Sequence, residues 1–188
     1  MVNIAKCSTM VRIVIVHIDE GQLNGIIALI HLQKRTTMFG HLNNEEIDAF
    51  IYHQSLGHLG CHANGKTYVV PLSYAFDGKY VYGHTEEGMK LNIMRQNPDV
   101  CFEVDHLHDM ANWKSAICWG TFEELTNKDE RDHALKILFN RPLPFITSKT
   151  VELSPHWPFP PNDFDLIKGV VYRILICEKT GRFENGHQ

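Results

Sequence analysis

Three groups of residues carry side chains able to do chemistry. The first, His84-Thr85-Glu86-Glu87-Gly88-Met89-Lys90, sets an imidazole, a hydroxyl, a glycine and an ammonium at the junction of a strand and a helix. A helix N-terminus offers an anion free backbone N–H groups and a favourable dipole. Lys90 adds charge, Thr85 a hydroxyl donor, His84 a donor at the strand end, and Gly88 a point of close backbone approach. In isolation the same residues would make an ordinary capped helix with exposed charges, and Glu86 and Glu87 would repel an anion unless they turned to solvent. The second group, Asp105-His106-Leu107-His108-Asp109, has metal-ligating residue types but no third well-spaced cluster, and a solvated loop between strands is expected. The third, His58, Cys61 and His62, lacks a partner set and is expected to be strand. No G-x-S-x-G elbow, P-loop or G-x-G-x-x-G is present, so hydrolase, NTPase and dinucleotide-fold readings lose support.

The chain around these groups has 188 residues, the length of one compact domain with at most a small appendage. Hydrophobic residues are 44% and charged residues 21%, a globular mixture able to bury a core. A net charge of −4 leaves no positive excess to neutralise a nucleic-acid backbone, so nucleic-acid binding is not expected. Twelve histidines make solubility sensitive to pH near 6.5. The five cysteines are odd in number and contain no C-x-x-C pair, so reduced thiols in a cytoplasmic protein are expected. Cys101, Cys118 and Cys177 sit in apolar or alternating stretches and read as packing residues.

Residues 26–32 form the longest apolar stretch near the N-terminus, far short of the ~18 a membrane helix needs. Acidic Asp19 and Glu20 precede it while Lys34 and Arg35 follow, the reverse of a secretory signal. Residues 1–37 are expected to be a peripheral or poorly ordered extension, and residues 38–188 the domain.

Within that domain, Asn43 or Asn44 can cap a helix carrying Ile47, Phe50 and Ile51, ended by Gly57. Strands are expected over residues 59–62, 67–76, 80–84, 100–104, 113–125 and 169–177, with Asn64-Gly65 and Asp77-Gly78 as hairpin turns. Thr85 is expected to cap a helix stopped by Pro98, and Thr126 with Asp129 a helix over residues 128–140. Residues 141–161 read as a proline-rich irregular loop. The pattern is mainly β with short helices, and six antiparallel strands fit a small barrel, since closure removes exposed edges. Pro71 cannot donate to a ladder, so it belongs at an edge, at a bulge, or where a ligand meets the backbone.

Taken in order, Gly57-His58-Leu59-Gly60-Cys61-His62, Tyr68-Val69-Val70-Pro71-Leu72-Ser73-Tyr74, the junction from Tyr82 to Lys90, Asn97-Pro98-Asp99-Val100-Cys101 and the closing Thr180-Gly181-Arg182-Phe183-Glu184 resemble a known pattern. They resemble the FMN-binding split-barrel proteins related to pyridoxamine 5′-phosphate oxidase, in the branch of the nitroimidazole-resistance reductases. The resemblance spans residues 38–184. It implies a six-stranded antiparallel split barrel with flanking helices, a homodimer, and FMN held between two chains. It assigns the phosphate to His84, Thr85, Gly88 and Lys90, and the ring to backbone groups of Pro71, Leu72, Ser73 and Tyr74, with Trp113 a contact from the later strand.

The activity implied is an FMN-dependent oxidoreduction of a small substrate such as a nitro compound. His84 would either orient substrate and donate a proton or serve as a structural hydrogen-bonding residue. A noncatalytic flavin- or haem-binding split barrel is the alternative. True pyridoxamine 5′-phosphate oxidase activity is disfavoured, because no basic cluster accompanies Lys90. Trp113, Trp119 and Phe122 are expected to cover barrel surface by an isologous contact.

Overall fold

The computed structural model describes residues 39–141, 152–153, 161 and 163–186. The extension expected over residues 1–37, and most of the loop expected over 141–161, lie outside them. The elements in chain order are β1 Phe39–His41, α1 Asn44–His53, β2 Leu56–Ala63, β3 Lys66–Ser73, β4 Ala75–Phe76, β5 Tyr80–Thr85, α2 Met89–Gln96, β6 Asp99–Asp109, β7 Asn112–Glu124, α3 Lys128–Asn140 and β8 Val170–Asn185, with a 3₁₀ turn Phe164–Leu166 before β8.

All pairings are antiparallel, in the order β3-β2-β6-β7-β8-β5-β4, with β1 added to β8. β3 and β4 end the path and do not pair with each other, which leaves the barrel split. The β2–β3 turn has positive φ at both Asn64 (50°) and Gly65 (75°), the mirror-image turn whose twist suits a two-residue hairpin. At the next turn Asp77 Oδ1 accepts from the N–H groups of Lys79 and Tyr80, and Gly78 takes φ 95°.

Alternation along the strands builds the core. Val100, Phe102 and Val104 of β6 and Ala116, Cys118 and Phe122 of β7 point inward, while their neighbours face out. A capping box between Asn43 and Glu46 starts α1, which buries Ile47 and Ile51; α2 adds Leu91, Ile93 and Met94 to the same core. A second cluster lies under α3, where Ala134, Leu135 and Leu138 meet Tyr82, Leu125 and Val171.

The mainly β split barrel stands as expected, with eight strands among the described residues in place of six. The strand expected over 67–76 breaks at Tyr74, because Tyr74, Ala75 and Phe76 are all buried and alternation cannot bury three successive side chains on one face. β1 was too short to read, and β8 runs on to Asn185. Residues 105–109 are strand rather than loop, since the hairpin pairing continues out to Asp109↔Asn112. α1 ends at His53, and Gly57 pairs within β2 against Leu72. Thr85 does not cap α2, because its pairing with Val170 keeps it in β5; Gly88 is the N-cap. Asn127, not Thr126, caps α3. Cys118 and Cys61 are buried, but Cys177 is exposed and Cys101 half-buried, so packing accounts for only part of the cysteine expectation.

Candidate functional site

β5 hands its chain to α2 through residues 86–88, and there the structure gathers the features an anion would use. Gly88 carries no side-chain cap, and among the described residues no atom lies within 4 Å of where a Cβ would stand. The first turn of α2 contains no acidic residue. Lys90, in that turn, is half-buried, and no carboxylate among the described residues pairs with it. Burial pushes its ammonium below the ordinary lysine range, and nearby Cys61 on β2 acts in the opposite sense.

The two glutamates that would oppose an anion are accounted for. Glu87 is held by both terminal nitrogens of Arg95, at 2.8 and 2.9 Å, and Arg95 also binds Glu124. That fork ties the carboxylate to the far end of α2. Glu86 is exposed. Thr85 spends its hydroxyl on the Glu86 carbonyl at 3.2 Å.

His84 is anchored. Its Nε2–H donates to the Lys168 carbonyl at 2.6 Å, which fixes the tautomer, and burial pushes its pKa below the ordinary histidine range. Nε2 is thus engaged within the chain by the Lys168 carbonyl.

The ring-lining residues expected on β3 divide by face. Pro71 is exposed on an edge strand, opposite His58, so the missing N–H costs no ladder bond on the open side. Leu72 and Tyr74 are core residues. The Tyr74 hydroxyl donates to the Ile51 carbonyl at 2.6 Å and its ring packs edge-on against Phe102, so only its backbone is available to a ligand. Ser73 Oγ lies 3.4 Å from Arg141 Nη2. Cys61, beside Lys90, pairs with Tyr68, five residues before Ser73, a distance of about 17 Å along the strand.

Trp113 is not brought to this edge within one chain. Its indole N–H donates to Glu184 at 2.8 Å, and it lines a separate cleft of about 500 Å³ with Phe50, His53, His106 and Lys114. Phe122 is a core residue packed on Tyr172, so it does not cover an outer surface; inward alternation on β7 accounts for this. Trp119, with Leu56, Val69 and Ile117, is exposed on the outer face.

Sequence reasoning passed over Arg141. It follows α3 at the start of a proline-rich stretch, where no periodicity singles it out. Its burial beside Ser73 brings a guanidinium to the end of β3 and pushes its pKa down to about 10.

The sequence matches the pyridoxamine 5′-phosphate oxidase family over residues 43–183. It is 30% identical over 105 residues to the uncharacterized protein RA0666 of Rhizobium meliloti (strain 1021), covering 54% of this chain and 70% of that protein. Among solved structures, a FAD-binding protein of Mesorhizobium loti is 30% identical, with a TM-score of 0.60 over 79% of this chain and 99% of the other. A candidate 5-nitroimidazole antibiotic resistance protein of Bacteroides thetaiotaomicron shares the fold at 20% identity, with a TM-score of 0.58 over 77% and 87% of the two chains. With that family match running over residues 43–183, the chain belongs to the pyridoxamine 5′-phosphate oxidase family.

Proposed function

We propose that the chain binds FMN along the β3 edge and acts as a cytoplasmic oxidoreductase on a small oxidised substrate such as a nitro compound. The observation that carries this reading is Lys90: a half-buried ammonium without a carboxylate partner among the described residues, beside a helix N-terminus left open by Gly88. A lysine half-buried at a cost that no described carboxylate offsets suits an anion, and a phosphate dianion answers it. Glu87 is withdrawn from that anion by Arg95. Backbone groups of residues 71–74 would line the ring, with Pro71 supplying an apolar contact and Ser73 a polar one.

Bound and reduced, the flavin would supply a hydride to the substrate, with a nicotinamide as its donor. The chain's own part is to bind, orient and exclude water. A homodimer, formed through the exposed outer-face residues Leu56, Val69, Ile117 and Trp119, would bring a partner's Trp113 strand toward the cofactor.

FAD is the second reading, favoured by the Mesorhizobium loti protein. Titration of the apoprotein with FMN, FAD and riboflavin, followed by flavin absorbance and fluorescence, tests both. FMN should bind most tightly, and the complex should turn over a nicotinamide with a nitroaromatic acceptor. Absence of flavin binding would end the reading, and binding without turnover would leave the noncatalytic flavin carrier.

A further inference from the structure

The outer face of β2, β6 and β7, where Ile117 and Trp119 of the proposed dimer contact stand, also carries a cluster to which that reading assigns no role. The β2–β6 register sets His58 opposite Glu103, and Asp105 follows two residues later on the same face of β6. His58 Nδ1 lies 3.2 Å from Glu103 Oε2 and 3.9 Å from Asp105 Oδ1. One ligand atom from each residue falls within 4.8 Å of the others. From β7, the Ser115 hydroxyl donates to Glu103 Oε1 at 3.1 Å, leaving Oε2 turned toward the imidazole. No lysine or arginine among the described residues pairs with either carboxylate, so both carboxylates converge on the His58 ring alone.

We propose that His58, Glu103 and Asp105 bind a divalent transition-metal cation, Zn²⁺ in the first instance, with a coordination position left open. Bond lengths of 2.0–2.2 Å at tetrahedral angles set neighbouring ligand atoms about 3.4 Å apart. The 3.2 and 3.9 Å separations bracket that value, and the half-exposed Asp105 side chain can close the remaining gap by rotation. A nitrogen with two carboxylates suits zinc and its neighbours, whereas Ca²⁺ and Mg²⁺ prefer all-oxygen shells. The ligands stand on paired strands, which hold their spacing, and Ser115 orients Glu103 from behind as outer-shell partners do. The open position would face a cleft of about 520 Å³ lined by His58, Gly60, Val69, Cys101, Glu103 and Trp119, which in the proposed homodimer lies at the contact between the two copies. The alternative occupant of the cluster is a proton, giving a plain His58 ion pair.

The test uses the full-length apoprotein without flavin, so its outcome is separate from that of the flavin reading. Titration with Co²⁺ should give one saturable equivalent with the visible bands of a tetrahedral or five-coordinate centre, displaced by Zn²⁺ but not by Mg²⁺ or Ca²⁺. His58→Ala and Asp105→Asn should abolish these bands, and Ser115→Ala should weaken binding about tenfold. His106→Ala/His108→Ala, which removes other exposed imidazoles, should leave the bands unchanged. Thermal melts in EDTA confirm that each variant folds; Asp105 is exposed and supports no core residue, so its variant keeps the test decisive should His58→Ala fail to fold. No saturable Co²⁺ spectrum, bands that survive in Asp105→Asn, or preference for Ca²⁺ would overturn the proposal.

Discussion

Replacing Lys90 by methionine keeps the length and apolar stem of the side chain and removes its charge, which separates two effects of opposite sign. In the apoprotein the ammonium is half-buried without a carboxylate partner among the described residues, so the native state bears a desolvation cost that methionine relieves. Lys90→Met should therefore leave the apoprotein melting temperature unchanged or raised. With ligand present, the variant loses a charge-assisted contact to phosphate worth about 1.5–3 kcal/mol. That corresponds to FMN binding weakened about 10- to 150-fold. Riboflavin has no phosphate and provides the internal control; its affinity should change less than about twofold.

Quenching of flavin fluorescence gives both affinities, and calorimetry gives the melts. A lysine that merely solvates a helix end would change none of the three quantities, and one that holds the fold would lower the melting temperature. The reasoning fails if FMN and riboflavin lose affinity equally, or if the apoprotein is destabilised by several degrees. Either result would place the phosphate elsewhere on the chain.

Other substitutions probe the parts around it. Arg95→Ala frees Glu87 beside the α2 N-terminus and should weaken FMN binding about threefold, with Glu87→Gln in the same chain restoring it. Tyr74→Phe removes the hydroxyl that donates to Ile51 and should cost about 1 kcal/mol in a denaturant titration while leaving FMN affinity unchanged, as expected if only the backbone of Tyr74 meets the ring. Gly83→Ala sets a methyl group against the buried Tyr172 ring and should cost about 1–3 kcal/mol by the same measurement. His84 is held neutral by burial, so its folded pKa lies below its unfolded value near 6.5: its contribution to stability is present above that value and is lost as pH falls toward the folded pKa. Melting temperatures between pH 7.5 and 5.5 should fall less steeply for His84→Gln than for the wild type.

What the sequence makes legible here is what short-range patterns encode. Asn64-Gly65 and Asp77-Gly78 mark their turns because φ > 0 is available to few residue types, and the β6 and β7 alternations can be read residue by residue. Lys90 and Gly88 stand within three positions of each other on one strand-to-helix junction, so the anion-binding combination shows in the chain itself. Facts that depend on two strands meeting are a different matter. The burial of Tyr74 at the strand break rests on a long-range bond to Ile51 and a ring contact with Phe102, and neither leaves a local mark. Arg95 neutralises the objection raised by Glu87 from eight residues away, around two turns of helix.

His58 and Glu103 are 45 positions apart and become neighbours only through the β2–β6 register. A slip of one residue in that register would turn one of them into the core. The register is pinned by the inward set on both strands, Leu59 and Cys61 against Phe102 and Val100, whose burial leaves His58, Glu103 and Asp105 on the opposite face together. Packing of the core thus fixes the geometry of a cluster it does not touch. A test of that coupling is to enlarge the core without altering any ligand: Cys118→Leu, pressed against the same buried layer, should disturb Co²⁺ coordination at His58 even though all three side chains are intact.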